Sequence, residues 1–582
     1  MLNGWSGGTS TGSGSAPSGI SQASKASPGA TPSSEMQRSA WDEWPAAPAA
    51  PAAPAALTGV KNVIVLINDG GGYTVYDATR LFLGHGLTTD GTGWSSTGVS
   101  TYPLRQDGTG TFTCNGVVVS GVNRNLPFSN AAKSPANGGR NQNASSTTAN
   151  PVAVYPCALN QDPNTVYNSA RFWDTRPVAG ASTAAGYSLY PASFQGYEWS
   201  RIAHPDSGNT ASTLANGNKT YNNAINVNGA GVDEFAVVDV IDAARQVGKS
   251  AGVVSVVQFA DATPAASGGA HNVARANRQA IADEMFSTGH LAVIGGAGSP
   301  DYDDNGISVV TPNYEWITPV LWADLKNNTN NSGKNPFHFE LHQDRASIQA
   351  LAARTKKPPM RLAMVVKGFN STQFNRTGVN PAAPLTNTGL PACVAPYAGP
   401  CANPLKTNVP TQAEMTVAAL NTLDRNGRGF YLMTEAGAVD RAEHANTTGR
   451  MIEEMVASDD TVKAIIAWVN RKDTSATWDN TILIVTADHD HLLYGPNGDT
   501  VPFQPLVDNG PGVVPGNRWF GPNHGTGLVP LFAYGKGSAQ LVSYASQTDA
   551  YTDSTGRTFG HGLYMDQTLL GQVLKLTVAQ PK

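Results

Sequence analysis

The sequence predicts an α/β protein: a three-layer α/β/α arrangement with a mostly parallel central sheet and insertions on its surface. Two observations carry this. Apolar runs of strand length alternate with stretches of helical character from Lys61 onward, the pattern of an open sheet covered by helices on both faces. Several of those runs end in a carboxylate, and open sheets of this kind bind ligands at the carboxyl ends of their strands.

Residues 1–57 are Gly/Ser/Thr-rich and then Ala/Pro-rich (WPAAPAAPAAPAA). Such a composition buries too little apolar surface to offset its ordering entropy, so it reads as a disordered tail ahead of a folded domain over 58–582. Lys61–Asp69 (KNVIVLIND) is a continuous apolar strand ending in Asp69 and a Gly70-Gly71-Gly72 turn. Three glycines also suit any tight turn, and no P-loop lysine follows them. Residues 91–200 have no sustained periodicity, hold Cys114 and Cys157, and read as a surface insertion. Pro205 then favours a turn, and Ser207 opens a helix. A serine there has backbone N–H groups and the positive end of the helix dipole beside it, a natural seat for phosphate. The plainer reading is that Asp206 or Ser207 only caps the helix.

Further along, Asp233–Val247 reads as a helix, Ser250–Val257 as a strand, and DATPAASGGAHNVAR (Asp261–Arg275) as the segment where that strand ends. His271 and Arg275 have the spacing to share a helical face. A helix near Asn277–Phe286, the strand HLAVIGG, a loop-rich insertion over 298–345, the strand Arg361–Val366 and the helix Gln412–Leu423 follow. Phe430–His444 (FYLMTEAGAVDRAEH) is a buried strand that ends at Glu435, with Asp440 and His444 at i and i+4 on a following helix. Thr481–Thr486 (TILIVT) is ended by Ala487-Asp488-His489-Asp490-His491, and Gly521–Tyr534 carries His524 and then VPLFAY.

Composition narrows the partners. Charged residues make up 14% and the formal net charge is -5, so neither nucleic acid nor an anionic membrane is implied, and no segment has the apolar length of a membrane span. None of the four cysteines, Cys114, Cys157, Cys393 and Cys401, has CxxC spacing. That argues against a zinc-thiolate site and for two local disulfides, with four buried thiols as the alternative. Disulfides would place the protein in the periplasm or outside the cell, although MLNGWSGGTSTG shows no signal peptide.

Unpaired carboxylates at the rim of a core cost several kcal/mol, so the strand-end acids imply cations. Histidines mixed with carboxylates favour Zn²⁺ and oxygen ligands favour Mg²⁺. On that basis Asp440, His444 and His524 form one zinc site, Asp69, Asp488 and His489 a second, and Asp69, Thr263 and Glu435 a magnesium site. Two zinc ions can stabilise both the attacking and the leaving oxygen of a phosphoryl displacement. Ser207 would be the nucleophile and Arg275 a bidentate phosphoryl clamp. His338, His342, His491 and His561 stay unassigned, as structural or supporting residues.

The segments KNVIVLINDGGG, DSGNTASTLANGNKTYNNAI, DATPAASGGAHNVAR, EAGAVDRAEH, TADHDH and HGTGLVPLFAYGKG together resemble the alkaline phosphatases, in the order of that family. The resemblance implies phosphate monoester hydrolysis at alkaline pH through a phosphoserine on Ser207, with the same two zinc sets and one magnesium set, and Arg275 on the phosphate. It also implies that Asp261 and Arg441 tune the third metal site and phosphate release. Asn68 stands where the family usually has glycine, and Arg441 where lysine, histidine or tryptophan is common. Small phosphate monoesters are the expected partners, with no membrane, no specific nucleic acid, and a homodimer left open. Two alternatives stand beside it: a phosphodiesterase or sulfatase on the same scaffold, and a non-catalytic phosphate- or metal-binding surface protein. A sulfatase would need a CxPxR-type motif, which the sequence lacks.

Overall fold

A strand that is apolar at every position must be covered on both faces, and the computed structural model has that architecture. It describes residues 53–103, 111–114, 117–120, 166–178, 190, 193–227, 239–272, 274–376 and 405–581. An eleven-stranded sheet runs in the order Gln547–Thr552, Thr558–Asp566, Ser95–Ser100, Val529–Gly535, Thr481–Thr486, Asn62–Ile67, Phe430–Glu435, Ser250–Gln258, Val293–Ala297, Leu362–Val365, Glu340–Leu341. From Thr481–Thr486 to the last of these, neighbours are parallel. Val529–Gly535 is antiparallel to the strands on both its sides.

Alternation along one strand feeds two cores. Val63, Val65 and Ile67 pack with Leu214, Ile241 and Leu570 on one face, whereas Ile64 and Leu66 pack with Met415, Leu420 and Ile465 on the other. The helices behind the first set are Ser207–Asn216, Val240–Gln246 and Gln567–Val578; behind the second stand Gln412–Leu423 and Thr448–Val469. Among the described residues no helix is long and apolar enough to cross a membrane.

The register sets the site. Ile67 pairs with Thr486 on one side and Glu435 on the other, and Glu435 pairs with Ser255. The residues that follow these four therefore emerge along one edge. Short helices begin where the strands stop: Tyr73–Leu83, Ala262–Ser267 and Ala438–His444.

Several expectations need correcting. The tail does not run to residue 57, because Leu57 is fully buried and its N–H donates to Thr577 Oγ1; residues 1–52 lie outside the described residues. The stretch 91–200 is not all insertion, since Ser95–Ser100 is a strand of the main sheet. The loop-rich stretch 298–345 contains the helix Pro319–Asn327, capped by Thr318. His271 and Arg275 share no helix, because Ala262–Ser267 ends at Gly268 and Gly269 turns the chain with φ +75°. The expected disulfides fall outside the described side chains.

Gly429 shows how tightly the central strands are set. It sits just before Phe430 with φ +102°, and a Cβ there would lie 2.6 Å from the Lys61 carbonyl oxygen. Gly429→Ala is expected to destabilise the fold by about 1–3 kcal/mol, read as a lower denaturation midpoint with an unchanged far-UV spectrum.

Candidate active site

Ser207 occupies the first turn of Ser207–Asn216, after Asp206 as N-cap. The cap is reciprocal: Asn209 N–H donates to Asp206 Oδ1 at 3.1 Å and Asp206 N–H donates to Asn209 Oδ1 at 2.8 Å. Ser207 is 2% exposed. Its Oγ lies 3.4 Å from Asp69 Oδ1 and 3.2 Å from His489 Nε2. The hydroxyl is thus held at the positive end of a helix dipole, against residues from two different strand ends.

Two ligand sets lie around it. Asp69, Asp488 and His489 present donor atoms within 4.8 Å of one another, as do Asp440, His444, His491 and His524. In the second set the imidazole hydrogen bonds decide which nitrogen faces inward. His444 Nδ1 sits 2.6 Å from Pro522 O and His524 Nδ1 2.8 Å from Pro205 O. With Nδ1–H donating to a carbonyl, each Nε2 keeps its lone pair. Those two Nε2 atoms face each other at 3.0 Å, and each lies near Asp440 Oδ1 at 3.3 and 3.2 Å. Two lone pairs and a carboxylate oxygen converging on one point suit a divalent cation.

Glu435, Thr263 and Asp69 form the oxygen-rich corner. Ser255 Oγ donates to Glu435 Oε2 at 2.5 Å. Thr263 is buried beside Glu435, yet its hydroxyl makes no hydrogen bond of good geometry. An orphaned hydroxyl next to carboxylates suits a hard cation.

The electrostatics agree with that fit. Burial and the neighbouring Asp488 and Asp440 push Asp69 well above the usual carboxylate range. Burial raises Glu435 to about 7 and, with Asp440, raises Asp488 to about 6. Asp440 goes the other way: burial opposes ionisation, but His444, His491 and His524 hold it well below its ordinary value. Burial lowers His489 and brings His491 to about 3, so both imidazoles are neutral donors.

Arg275 and Arg441 meet on one carboxylate. Arg275 Nη2 donates to Asp261 Oδ1 at 2.8 Å and Nη1 to Asp206 Oδ2 at 3.2 Å, while Arg441 Nη2 donates to Asp261 Oδ2 at 2.6 Å. Although burial works against ionisation, the two guanidiniums hold Asp261 far below the usual carboxylate range.

Every sequence-predicted site residue thus falls at this one edge. His491, left unassigned in the sequence, joins them: its Nε2 donates to Asp440 Oδ1 at 2.8 Å. A signal existed, since His489 and His491 are two apart on an extended segment and share a side. Glu443 was also missed; it is buried against Gly70 and lies 3.4 Å from His491. Of the other histidines, His342 pairs with Glu340 and His561 stacks on Tyr73 at 3.7 Å.

The family model described as alkaline phosphatase matches residues 189–294 and 400–510. Alkaline phosphatase of Escherichia coli K12 is 27% identical over 359 residues, 60% of this chain and 72% of that protein. In these stretches the chain is similar to the alkaline phosphatase family. Alkaline phosphatase H of Pseudomonas aeruginosa is 26% identical over 364 residues, 60% of this chain and 71% of that protein. Among solved structures, an alkaline phosphatase from the Antarctic bacterium TAB5 is similar, with a TM-score of 0.49 and 17% identity over 90% of this chain and 98% of its own. The chain is therefore a phosphatase that acts on phosphoesters. Asp69 and His524 lie outside the two stretches the family model matches, and it is the fold that brings them to the others.

Removing the shared carboxylate would leave two guanidiniums facing each other. Asp261→Ala is expected to lower the melting temperature by several degrees, whereas Arg441→Ala, which leaves Asp261 paired with Arg275, is expected to cost clearly less. Differential scanning calorimetry of the two variants checks the order.

Proposed function

We propose that this phosphatase hydrolyses phosphate monoesters at alkaline pH through a phosphoserine on Ser207, with two Zn²⁺ and one Mg²⁺ as cofactors. The observation that carries the reading is the placement of Ser207 Oγ, 3.4 Å from Asp69 and 3.2 Å from His489 at a helix N-terminus. Asp440, His444 and His524 would hold one zinc, Asp69, Asp488 and His489 the other, and Asp69, Thr263 and Glu435 the magnesium. Such ions, when bound, supply Lewis acidity and neutralise the clustered carboxylates.

The chain's own groups do the rest. Ser207 Oγ attacks phosphorus; the Oγ–P bond forms, the ester P–O bond breaks, and the alcohol leaves. The hydroxyl proton passes to water as the Oγ–P bond forms, and the leaving alkoxide takes up a proton in turn. Arg275 turns part of its fork from Asp206 and Asp261 to two phosphoryl oxygens, and a monoester dianion offers a pair for bidentate binding. Asp261 keeps that guanidinium poised and ties it to Arg441, so the two residues tune phosphate release together. Water then cleaves the Oγ–P bond and returns the free serine. Location in the periplasm or outside the cell belongs to the same reading and rests on the four cysteines.

Four measurements test this. Chelation should abolish release of phosphate from an aryl phosphate at alkaline pH and zinc should restore it; a faster rate on a diester than on a monoester would overturn the reading. Ser207→Ala should abolish acid-trapped phosphoenzyme and cut kcat/KM by on the order of 10³-fold or more. Arg275→Ala should weaken phosphate binding by about 10–100-fold with residual turnover, as expected for lost charged hydrogen bonds. Label trapped on another serine would refute the nucleophile. Metal analysis separates the sets: Glu435→Gln should deplete magnesium first, and His444→Ala should empty a zinc.

A further inference from the structure

The carboxylates gather at one end of the sheet, and cations gather at the other. Near the amino ends of Ser250–Gln258, Val293–Ala297 and Leu362–Val365 lies a cavity of about 440 Å³ lined by Arg245, Lys249, His290, Arg361 and Arg425. Among the described residues no carboxylate lines it. The nearest acid in contact with these groups is Asp242, which stands 3.6 Å from Arg245 and 3.9 Å from His290. Glu284 also acts on His290, and the cations still outnumber these two carboxylates.

The cations are held in different ways. Arg361 donates to the Leu291 carbonyl and Arg425 to the Pro358 carbonyl. Each guanidinium has five N–H donors, so one such bond orients it without exhausting it. Lys249 is only 7% exposed, and among the described residues its ammonium has no hydrogen-bond partner. Burial, with Lys61 nearby, pushes it down to about 8.

A purely structural account is available for part of this cluster. The helices Val240–Gln246 and Gln412–Leu423 end here, and cations near helix C-termini offset the negative end of the dipole. That account covers Arg245 and Arg425. It does not cover Lys249, because a capping lysine would meet a carbonyl and this one meets none. A buried ammonium left without a partner is costly unless a ligand supplies one.

We propose that this cavity is a second anion site, separate from the reaction centre, and that it takes a multiply charged, phosphate-bearing anion such as a pyrophosphate-type group, free or carried on a nucleoside. Arginine forks match phosphate oxygens in pairs. The volume is in the range of small-molecule sites and exceeds the needs of a single phosphate. Arg245, Lys249, Arg361 and Arg425 outnumber Asp242 and Glu284, which calls for more than one negative charge. Ser250 opens and Gln258 closes the same strand, so the two sites are about a strand length apart, roughly 25–30 Å.

The test is calorimetric titration of the metal-loaded full chain with methylenediphosphonate and, separately, with α,β-methylene-ADP. Neither has a P–O–P bridge to hydrolyse. Saturating inorganic phosphate keeps the reaction centre filled. About one equivalent of probe is expected to bind the native chain. Lys249→Met and Arg425→Gln should each weaken binding tenfold or more, with aryl phosphate turnover unchanged. If Lys249→Met fails to fold, Arg425→Gln and Arg245→Gln carry the test. Equal affinity for the two probes assigns a free inorganic anion, and tenfold tighter binding of the nucleotide analogue assigns a nucleoside phosphate. The proposal is overturned if neither probe binds under saturating phosphate. It is overturned equally if these variants bind like the native chain, or if Arg275→Ala abolishes binding while Lys249→Met leaves it intact.

Discussion

Like charge packed at one strand edge is the constraint on which the rest of this structure depends. Asp69, Glu435, Asp440 and Asp488 are all buried there, with Glu443 and Asp490 just behind. Two unit charges 4 Å apart repel by about 4 kcal/mol at the effective dielectric of a protein near its surface. Paid several times over, that cost rivals the net stability of an ordinary domain. The apolar strands beneath, buried at every position from Asn62 to Ile67 and from Phe430 to Glu435, hold the acids where they would not gather unaided. The shifts of Asp69, Glu435 and Asp488 toward neutrality describe a site that favours added positive charge.

Around that edge a layer of neutral polar groups fixes the carboxylates and their backbone. Thr210 Oγ1 donates to Asp488 Oδ2 at 3.1 Å, and Gly70 N–H donates to Asp488 Oδ1 at 3.2 Å. Asn68 donates from Nδ2 to the Tyr76 hydroxyl at 2.8 Å and accepts from Ser458 Oγ at 2.5 Å. A glycine before Asp69 would supply neither bond. The departure at Asn68 thus ties the turn at Asp69 to the helices Tyr73–Leu83 and Thr448–Val469. Gly70 is needed for a different reason: its φ is +80°, and a Cβ there would collide with the Glu443 carboxylate. The glycine run that sequence alone could read as any tight turn is here a place where an acid packs on bare backbone.

What could be read from the sequence were features written locally. The helix Gln412–Leu423 and the strand Thr481–Thr486 fall where periodicity puts them, and Asp440 and His444 do share a helix. Features that depend on distant partners were not legible. Ser95–Ser100 (SSTGVS) has no apolar run, and only its last three residues are buried, so nothing marks it as a sheet strand until Val529–Gly535 pairs with it. Arg275 reaches Asp261 not along a helix but from a non-helical segment tied down by its own N–H bond to Asn223 O at 2.7 Å. The pairing of His491 with Asp440 spans 51 residues, and no spacing rule encodes a contact of that kind.

The opposite signs at the two ends of the sheet follow from its topology. A helix that links parallel strands runs back against them, so helix N-termini collect at the strand carboxyl ends and helix C-termini at the amino ends. Ser207–Asn216 and Ala438–His444 present their positive ends to the acids, while Val240–Gln246 and Gln412–Leu423 present their negative ends to the cations. Topology alone therefore accounts for the sign at each end, but it does not aim individual atoms. The inward lone pairs of His444 and His524 are set by two proline carbonyls, and the unpartnered ammonium of Lys249 by burial away from any carbonyl. Those placements exceed what dipole compensation requires, and that excess is the physical ground for assigning chemistry to an edge rather than mere charge balance.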